Sequence, residues 1–324
     1  MAPAVRPSME PSAPPRSTTC AVVVTYHPER DTLGRLLSAA LAQVDAVVVV
    51  DNGSGPELED WLKGHDRVHL QALGANRGVA RAQNRGIEWA LVRGFDWVLI
   101  LDHDSVPSPG MVGALRNALL RAEAQGLRVA AAGPQYVDPL TGHRSYFVSL
   151  RNWKLRRAWC PEGDPEAVVP ADILISSGSL IPAAVLREVG PLDDDLFIDY
   201  VDTDWCLRAK SLGYTAVGAC GAVMEHNLGA GSVQVNLLGR RRQVSLYGPL
   251  RLYYRARNSV LLYRKPYVPW RWVFNDLLRL AQLLGFFGLL QPPRLRNLGM
   301  MLRGLRDGLL GRGGPYGAAG RPAD

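Results

Sequence analysis

The sequence predicts an α/β fold: a mostly parallel, Rossmann-like sheet flanked by helices. Three observations carry this reading. Short runs of Val, Ile, Leu and Ala alternate with segments of helical periodicity, at the spacing of βα units. Those runs are apolar at successive positions instead of alternating with polar ones, as strands buried on both faces are. Polar residues follow directly after the runs, where open α/β sheets bind their ligands. With 324 residues, 47% of them hydrophobic, the chain can bury a substantial core.

Residues 20–26 form the first strand, which His27-Pro28 ends. Thr32 can cap a helix with Leu33, Leu36, Leu37, Ala40 and Leu41 on one face. The second strand covers 46–50 and closes in the turn Asp51-Asn52-Gly53-Ser54. A third covers 68–73; Asn76-Arg77-Gly78 and a helix bearing Arg81, Asn84 and Ile87 follow it. The fourth, Trp97-Val98-Leu99-Ile100-Leu101, leads into Asp102-His103-Asp104, and Ser105 and Pro107 stop it. A helix over 111–124 and a strand over 129–132 come next. Residues 144–169 are irregular and read as a substrate-covering loop, 173–181 as a strand interrupted by small residues, and 217–225 as the last strand.

Several of these strand ends carry chemistry. Asp102 and Asp104 can both reach one divalent cation or the diphosphate it bridges, because hard cations take oxygen ligands; two solvated loop aspartates are the alternative. Thr25, Asp51 and Arg77 stand at equivalent ends. Asp51 can accept from the imide N–H of uracil or thymine, or simply close an Asn-Gly turn. Arg77 and Arg81 can neutralise phosphate, and Asn84 is a binding amide or a helix-surface one. Gly178, beside Ser177, marks either close approach of a ligand or a bulge. Asp202 and Asp204 fall in the first turn of a helix, where the dipole favours carboxylates; functionally, one is a general base. His226 closes a strand as the aspartate pair does, which favours metal ligation over a structural role. No G-x-G-x-x-G follows the first strand and no G-x-x-x-x-G-K-[ST] occurs, so the chain is not a dinucleotide dehydrogenase.

Residues 1–18, rich in Pro, Ala and Ser and without an apolar signal region, read as a disordered tail. Residues 19–239 form the main domain, divided into a nucleotide-binding half over about 19–135 and a second half over about 136–239. Residues 240–324 hold 16 Lys and Arg against 3 Asp and Glu, a balance of +13, while the rest of the chain sums to −6. Within them, 270–290 reads WRWVFNDLLRLAQLLGFFGLL, an apolar helix with one polar stripe. An amphipathic helix on an anionic membrane surface fits the region 240–307. Packing on the main domain, or on a second copy in a homo-oligomer, is the other reading. The glycine-rich stretch 308–324 reads as a disordered tail. No nucleic-acid motif is present. Four cysteines without C-x-x-C spacing argue against zinc or a disulfide framework and fit a reducing cytosol.

Together, Val24-Thr25-Tyr26-His27-Pro28, Asp51-Asn52-Gly53-Ser54, the run Asn76 to Gly86, Leu101-Asp102-His103-Asp104-Ser105, Ser177-Gly178-Ser179-Leu180-Ile181, Leu196 to Arg208 and Tyr253-Tyr254-Arg255-Ala256-Arg257-Asn258 resemble the inverting family-2 glycosyltransferases of GT-A fold. Within that family they are similar to bacterial rhamnosyltransferases acting on cell-surface polysaccharides, over about residues 19–265. The resemblance implies a nucleotide-sugar donor, dTDP-L-rhamnose, and a glycan or lipid-linked glycan acceptor at the inner face of the cytoplasmic membrane. It implies donor binding by Thr25, Asp51, Arg77, Arg81, Asn84 and Asp102, and Mg²⁺ or Mn²⁺ on Asp102, Asp104 and His226. Asp202 falls at the catalytic base, with Ser177, Gly178 and Asp204 toward the acceptor. His103 and Val201 depart from the family's usual amide and Glu. Another donor, such as UDP-galactofuranose, is the alternative within the family. A sugar-nucleotide nucleotidyltransferase would need a glycine-rich Arg/Lys loop after the first strand, which Thr25-Tyr26-His27-Pro28 is not. A non-catalytic sugar-nucleotide sensor would lack a base, whereas Asp202 is present.

Overall fold

The computed structural model describes residues 17–137, 142, 144–151, 154–226, 232–237 and 240–317. The first half is a run of βα units: β1 (Thr19–Thr25), α1 (Arg30–Leu41), β2 (Ala46–Asp51), α2 (Pro56–Leu62), β3 (Val68–Ala72), α3 (Val79–Val92) and β4 (Trp97–Asp102). Then come β5 (Ser105–Pro107), α4 (Met111–Ala124), β6 (Val129–Val137), β7 (Phe147–Arg151), β8 (Lys154–Ala158), β9 (Val168–Ala171), β10 (Leu180–Pro182) and α5 (Ala183–Val189). The chain continues through α6 (Val201–Ser211), β11 (Thr215–His226), the hairpin β12 (Ser232–Leu237) and β13 (Arg240–Ser245), α7 (Pro249–Tyr263), α8 (Trp270–Gly285) and α9 (Arg294–Leu309).

The main sheet runs β3-β2-β1-β4-β10-β6-β11-β5, with β9 also on β11. β1 pairs in parallel with β2 and β4, β2 with β3, and β6 with β11. The register sets Thr25 opposite Asp51 and Val24 opposite Asp102, so three strands deliver their polar ends at one level. Successive side chains of a strand leave on opposite faces. Cys20, Val22 and Val24 therefore pack with α3, α5 and α6, while Ala21 and Val23 pack with α1 and α4. Helices thus cover both faces, as the uniformly apolar strands require.

The structure corrects several expectations. The strand expected over 173–181 is only Leu180–Pro182, antiparallel to both β4 and β6. The preceding residues instead turn across the end of β4, where Gly178 N–H donates to Ile100 O at 2.7 Å. Ser105–Pro107 does not simply stop β4 but pairs antiparallel with β11. The irregular segment contains the β7–β8 hairpin and β9. No disulfide was expected, yet Cys160 and Cys220 are joined across 60 residues. The pairing of β9 with β11 brings them together, a juxtaposition that spacing in sequence does not reveal. From Gly308 a disordered tail was expected, but α9 continues to Leu309 and Gly314 N–H donates to Asp195 O at 2.7 Å. The expectations for 1–16 and 318–324 lie outside the described residues.

Candidate active site

The β2 turn is locked from within. Asp51, 2% exposed, accepts from Thr25 Oγ1 at 3.0 Å, from Ser54 N–H at 2.8 Å, from Gly53 N–H at 3.3 Å and from the Ser54 hydroxyl. A carboxylate offers about four acceptor sites, so Asp51 chiefly fixes this turn and Thr25 supports it. Asn52 and Asn76 tie the turn to the start of α3: Asn52 Nδ2 donates to Asn76 Oδ1 at 3.1 Å, and Arg77 N–H donates to Asn52 Oδ1 at 2.8 Å. The Arg77 residue is exposed on this rim.

Arg81 and Asn84 are engaged elsewhere. Arg81 pairs with Asp194 at 2.8 Å, and Asn84 Nδ2 donates to Leu192 O at 2.9 Å and to Asp194 Oδ1 at 2.7 Å. Both line a cleft of about 860 Å³ between α3 and Pro191–Asp194 that also contains Arg208 and Lys265. They brace the segment that leads toward α6.

At the end of β4, Asp102 N–H donates to Ser177 Oγ at 2.9 Å, and Ser177 Oγ donates to Ser105 Oγ at 2.9 Å. Ser177 is fully buried, and a Cβ on Gly178 (φ +79°) would stand 2.6 Å from Pro134. Both residues shape the floor beneath Asp102 instead of lining an open acceptor surface. Burial pushes the Asp102 carboxyl up to about 7; Asp104 and Asp202 push the same way and Arg251 opposes them. Asp202 is also raised, by burial first and then by Asp199, although Thr203 N–H donates to its Oδ1 at 2.7 Å. Asp102 thus feels the charges of Asp104 and Asp202, and Asp202 in turn feels that of Asp199. Asp204 is paired elsewhere: fully buried, it accepts from Lys265 Nζ at 2.7 Å and Tyr267 Oη at 2.6 Å.

No three His, Cys, Asp or Glu side chains among the described residues converge tightly enough to hold a metal ion. The His226 side chain lies outside the description; its backbone pairs with Ser105, next to Asp104. Two carboxylates suffice for a divalent cation when substrate phosphates supply further oxygens. The Asp102–Asp104 pair, two carboxylates at the end of β4, fits such an ion.

The residues before α6 are strained. Phe197, Asp199 and Tyr200 all have φ between +62° and +67°, in the region that favours glycine. Such residues cost about 1–3 kcal/mol each and persist only where their surroundings hold them. Here α7 holds them. Arg251 and Arg255 pair with Asp199 at 3.0 and 3.1 Å, and Tyr200 Oη donates to the Asp276 carboxylate of α8 at 2.9 Å. Sequence reasoning held Asp199 only as a substitute candidate for the base and assigned no role to Arg251, Arg255, Arg257 or Asn258. The Tyr-Tyr-Arg-Ala-Arg-Asn run stood out as a pattern, but no local signal tells which loop it grips.

A largely parallel sheet covered by helices on both faces, with polar strand ends at one edge, is the architecture of a GT-A glycosyltransferase. The chain belongs to glycosyl transferase family 2, whose family model matches residues 21–177. Over 257 residues it is 34% identical to the dTDP-rhamnosyl transferase RfbF of Shigella flexneri, covering 78% of this chain and 82% of that protein. The fold is similar to that in the crystal structure of S. aureus TarS 1–349, with TM-score 0.53, 13% identity, and 90% of this chain and 81% of that one covered. It is similar as well to GalNAc-T7 crystallised with UDP, GalNAc and Mn²⁺, with TM-score 0.52, 14% identity and 82% of this chain covered. The match spans about half, 54%, of the GalNAc-T7 chain.

Proposed function

We propose that the protein transfers L-rhamnose from dTDP-L-rhamnose to a glycan or lipid-linked glycan acceptor, with inversion and with a divalent metal. The carboxylates of Asp102, Asp104 and Asp202, near enough for Asp102 to feel the other two, carry this reading. The 34% identity to a dTDP-rhamnosyl transferase supports the donor.

In this mechanism the β2 turn, fixed by Thr25, Asp51 and Asn52, is the floor for the nucleoside, and Arg77 meets phosphate from the rim. Asp102 and Asp104, with His226 beside them in the strand pairing, would hold Mg²⁺ or Mn²⁺. When bound, such an ion supplies charge stabilisation for the departing diphosphate. Asp202 takes the proton from the acceptor hydroxyl as that oxygen attacks the anomeric carbon opposite the leaving group. Burial raises its pKa, which makes its carboxylate a stronger base than an ordinary aspartate. One displacement inverts the configuration, so a β-linked donor gives an α-L-rhamnoside.

We propose also that residues 240–307 seat the enzyme on the anionic inner face of the cytoplasmic membrane. On α8, Trp272, Asp276 and Leu280 are buried, whereas Trp270, Phe274, Leu277, Leu278, Arg279 and Gln282 are exposed, so apolar and polar residues share the outer face. The stretch Trp270–Leu290 is by length and composition apolar enough to cross a membrane. The buried carboxylate of Asp276 against the catalytic region favours a helix lying at the interface.

The donor is tested by incubating the protein and Mg²⁺ with dTDP-L-rhamnose, UDP-galactofuranose and other sugar nucleotides. Release of nucleoside diphosphate should be fastest with dTDP-L-rhamnose. Faster release from another donor overturns the sugar assignment, and formation of a nucleoside triphosphate from added pyrophosphate points to nucleotidyl transfer.

A further inference from the structure

The Arg-Ala-Arg-Asn run of α7 has no place in the chemistry above, yet two of its members are among the most deeply buried polar residues. Arg257 and Asn258 are both 0% exposed. Asn258 Nδ2 donates to three backbone carbonyls: Leu196 and Ile198 at 2.7 Å and Asp199 at 2.9 Å. Arg257 Nη2 donates to Asp195 O at 2.9 Å and Leu196 O at 3.1 Å, and its Nε donates to Asn258 Oδ1 at 2.9 Å. Every one of these carbonyls belongs to the segment that enters α6.

That segment contains an unusual turn. Phe197 has φ 62° and ψ −60°, and Ile198 N–H donates back to Leu196 O at 2.7 Å. This is a γ-turn of the positive-φ kind, which is rare and strained. Its other side is clamped too. Val79 N–H, at the start of α3, donates to Phe197 O at 2.7 Å. The Phe197 ring stacks on Tyr254 with centroids 5.0 Å apart, and Gly78 leaves no room for a Cβ beside it. Asp202 follows five residues after the turn centre, in the first turn of α6.

We infer that Arg257 and Asn258 are positioning residues for the catalytic base: they hold the strained 196–199 turn and thereby aim Asp202 at the acceptor hydroxyl. The inference rests on the reading of Asp202 as base. The residues after α9 belong to the same device, since Arg257 Nη1 also bonds Gly314 O and Gly314 N–H bonds Asp195 O.

The test uses the full chain, dTDP-L-rhamnose and acceptor, and begins with Asp202→Asn. Loss of about 10²-fold or more in kcat, the scale of general-base catalysis, is required; without it the base assignment itself fails. Asn258→Ala and Arg257→Lys are then measured alone and combined with Asp202→Asn. Each should lower kcat by about 10–100-fold with donor Kd changed less than about threefold. In the double variants the losses should fall well short of multiplying, because an absent base cannot also be misaimed. Phe197→Gly, which frees the turn without emptying the buried site, should lower kcat about tenfold or more even if Asn258→Ala does not fold. A folded Asn258→Ala with kcat within twofold of wild type overturns the inference. So do fully multiplicative losses, or a Phe197→Gly variant of unchanged kcat.

Discussion

Asp102, proposed here as a metal-side carboxylate, occupies a poor position for stability. Its folded pKa of about 7 exceeds the ordinary value of 3.8, so an ionised Asp102 destabilises the fold. This penalty is absent below about pH 4, grows as pH rises, and is complete above about pH 7. Asp102→Asn should therefore raise the Tm at pH 8, by up to a few kcal/mol in stability, and the difference should vanish toward pH 4. Added Mg²⁺ with dTDP should stabilise the wild type but not the variant. A thermal melt series over pH checks both signs. At this scale the sequence was readable where position follows directly from an apolar run, as for Asp51 and Asp102 at the ends of β2 and β4. It misled where a partner is remote. Arg81, Asn84 and Asp204 have the right chemistry for ligands, but the residues that occupy them lie 113, 110 and 61 positions away. Nothing local to Asp204 reveals that Lys265 and Tyr267 enclose it.

The parallel β1–β4 unit was legible because strands buried on both faces leave continuous apolar runs. β10 was not, since three residues antiparallel between two parallel strands leave no periodicity to read. The Cys160–Cys220 bond escaped because it depends on a contact across 60 residues of chain. For α8 the sequence showed a polar stripe, and the structure splits it. Asp276 is buried and accepts from Tyr200 and Tyr263, whereas Arg279 and Gln282 are exposed on the side of Leu277 and Leu278. Replacing Phe274, Leu277 and Leu278 together by Gln should abolish sedimentation with anionic vesicles while slow donor hydrolysis persists. Wild-type binding should weaken without vanishing as salt rises, because salt screens the arginines and not the apolar contact. Wild-type protein that ignores such vesicles and instead elutes as a dimer, which the triple variant converts to monomer, contradicts the membrane reading. Surface substitutions are preferred to truncation, since a chain cut before Val268 loses Asp276 and the Gly314 contacts with the base loop.

Over the whole molecule, charge and structure divide the work unequally. The acidic main domain supplies the strand-end carboxylates, while the basic C-terminal helices supply Arg251, Arg255 and Arg257 to brace the loop before the base. α9 packs so closely on α7 that a Cβ at Gly304 would lie 2.3 Å from Tyr253 O. The region set apart in sequence by charge and hydropathy therefore completes the catalytic end, which composition alone could not reveal. The central claim is that Asp202 performs general-base chemistry beside a metal-binding carboxylate pair. It is tested most directly by following dTDP release from dTDP-L-rhamnose by ³¹P NMR with Mg²⁺ and acceptor present, for wild type and Asp202→Asn. Wild-type release should stop on adding EDTA and resume with excess Mg²⁺, and Asp202→Asn should be slower by about 10²-fold or more. Release that continues in EDTA, or an Asp202→Asn rate within a few-fold of wild type, contradicts the account.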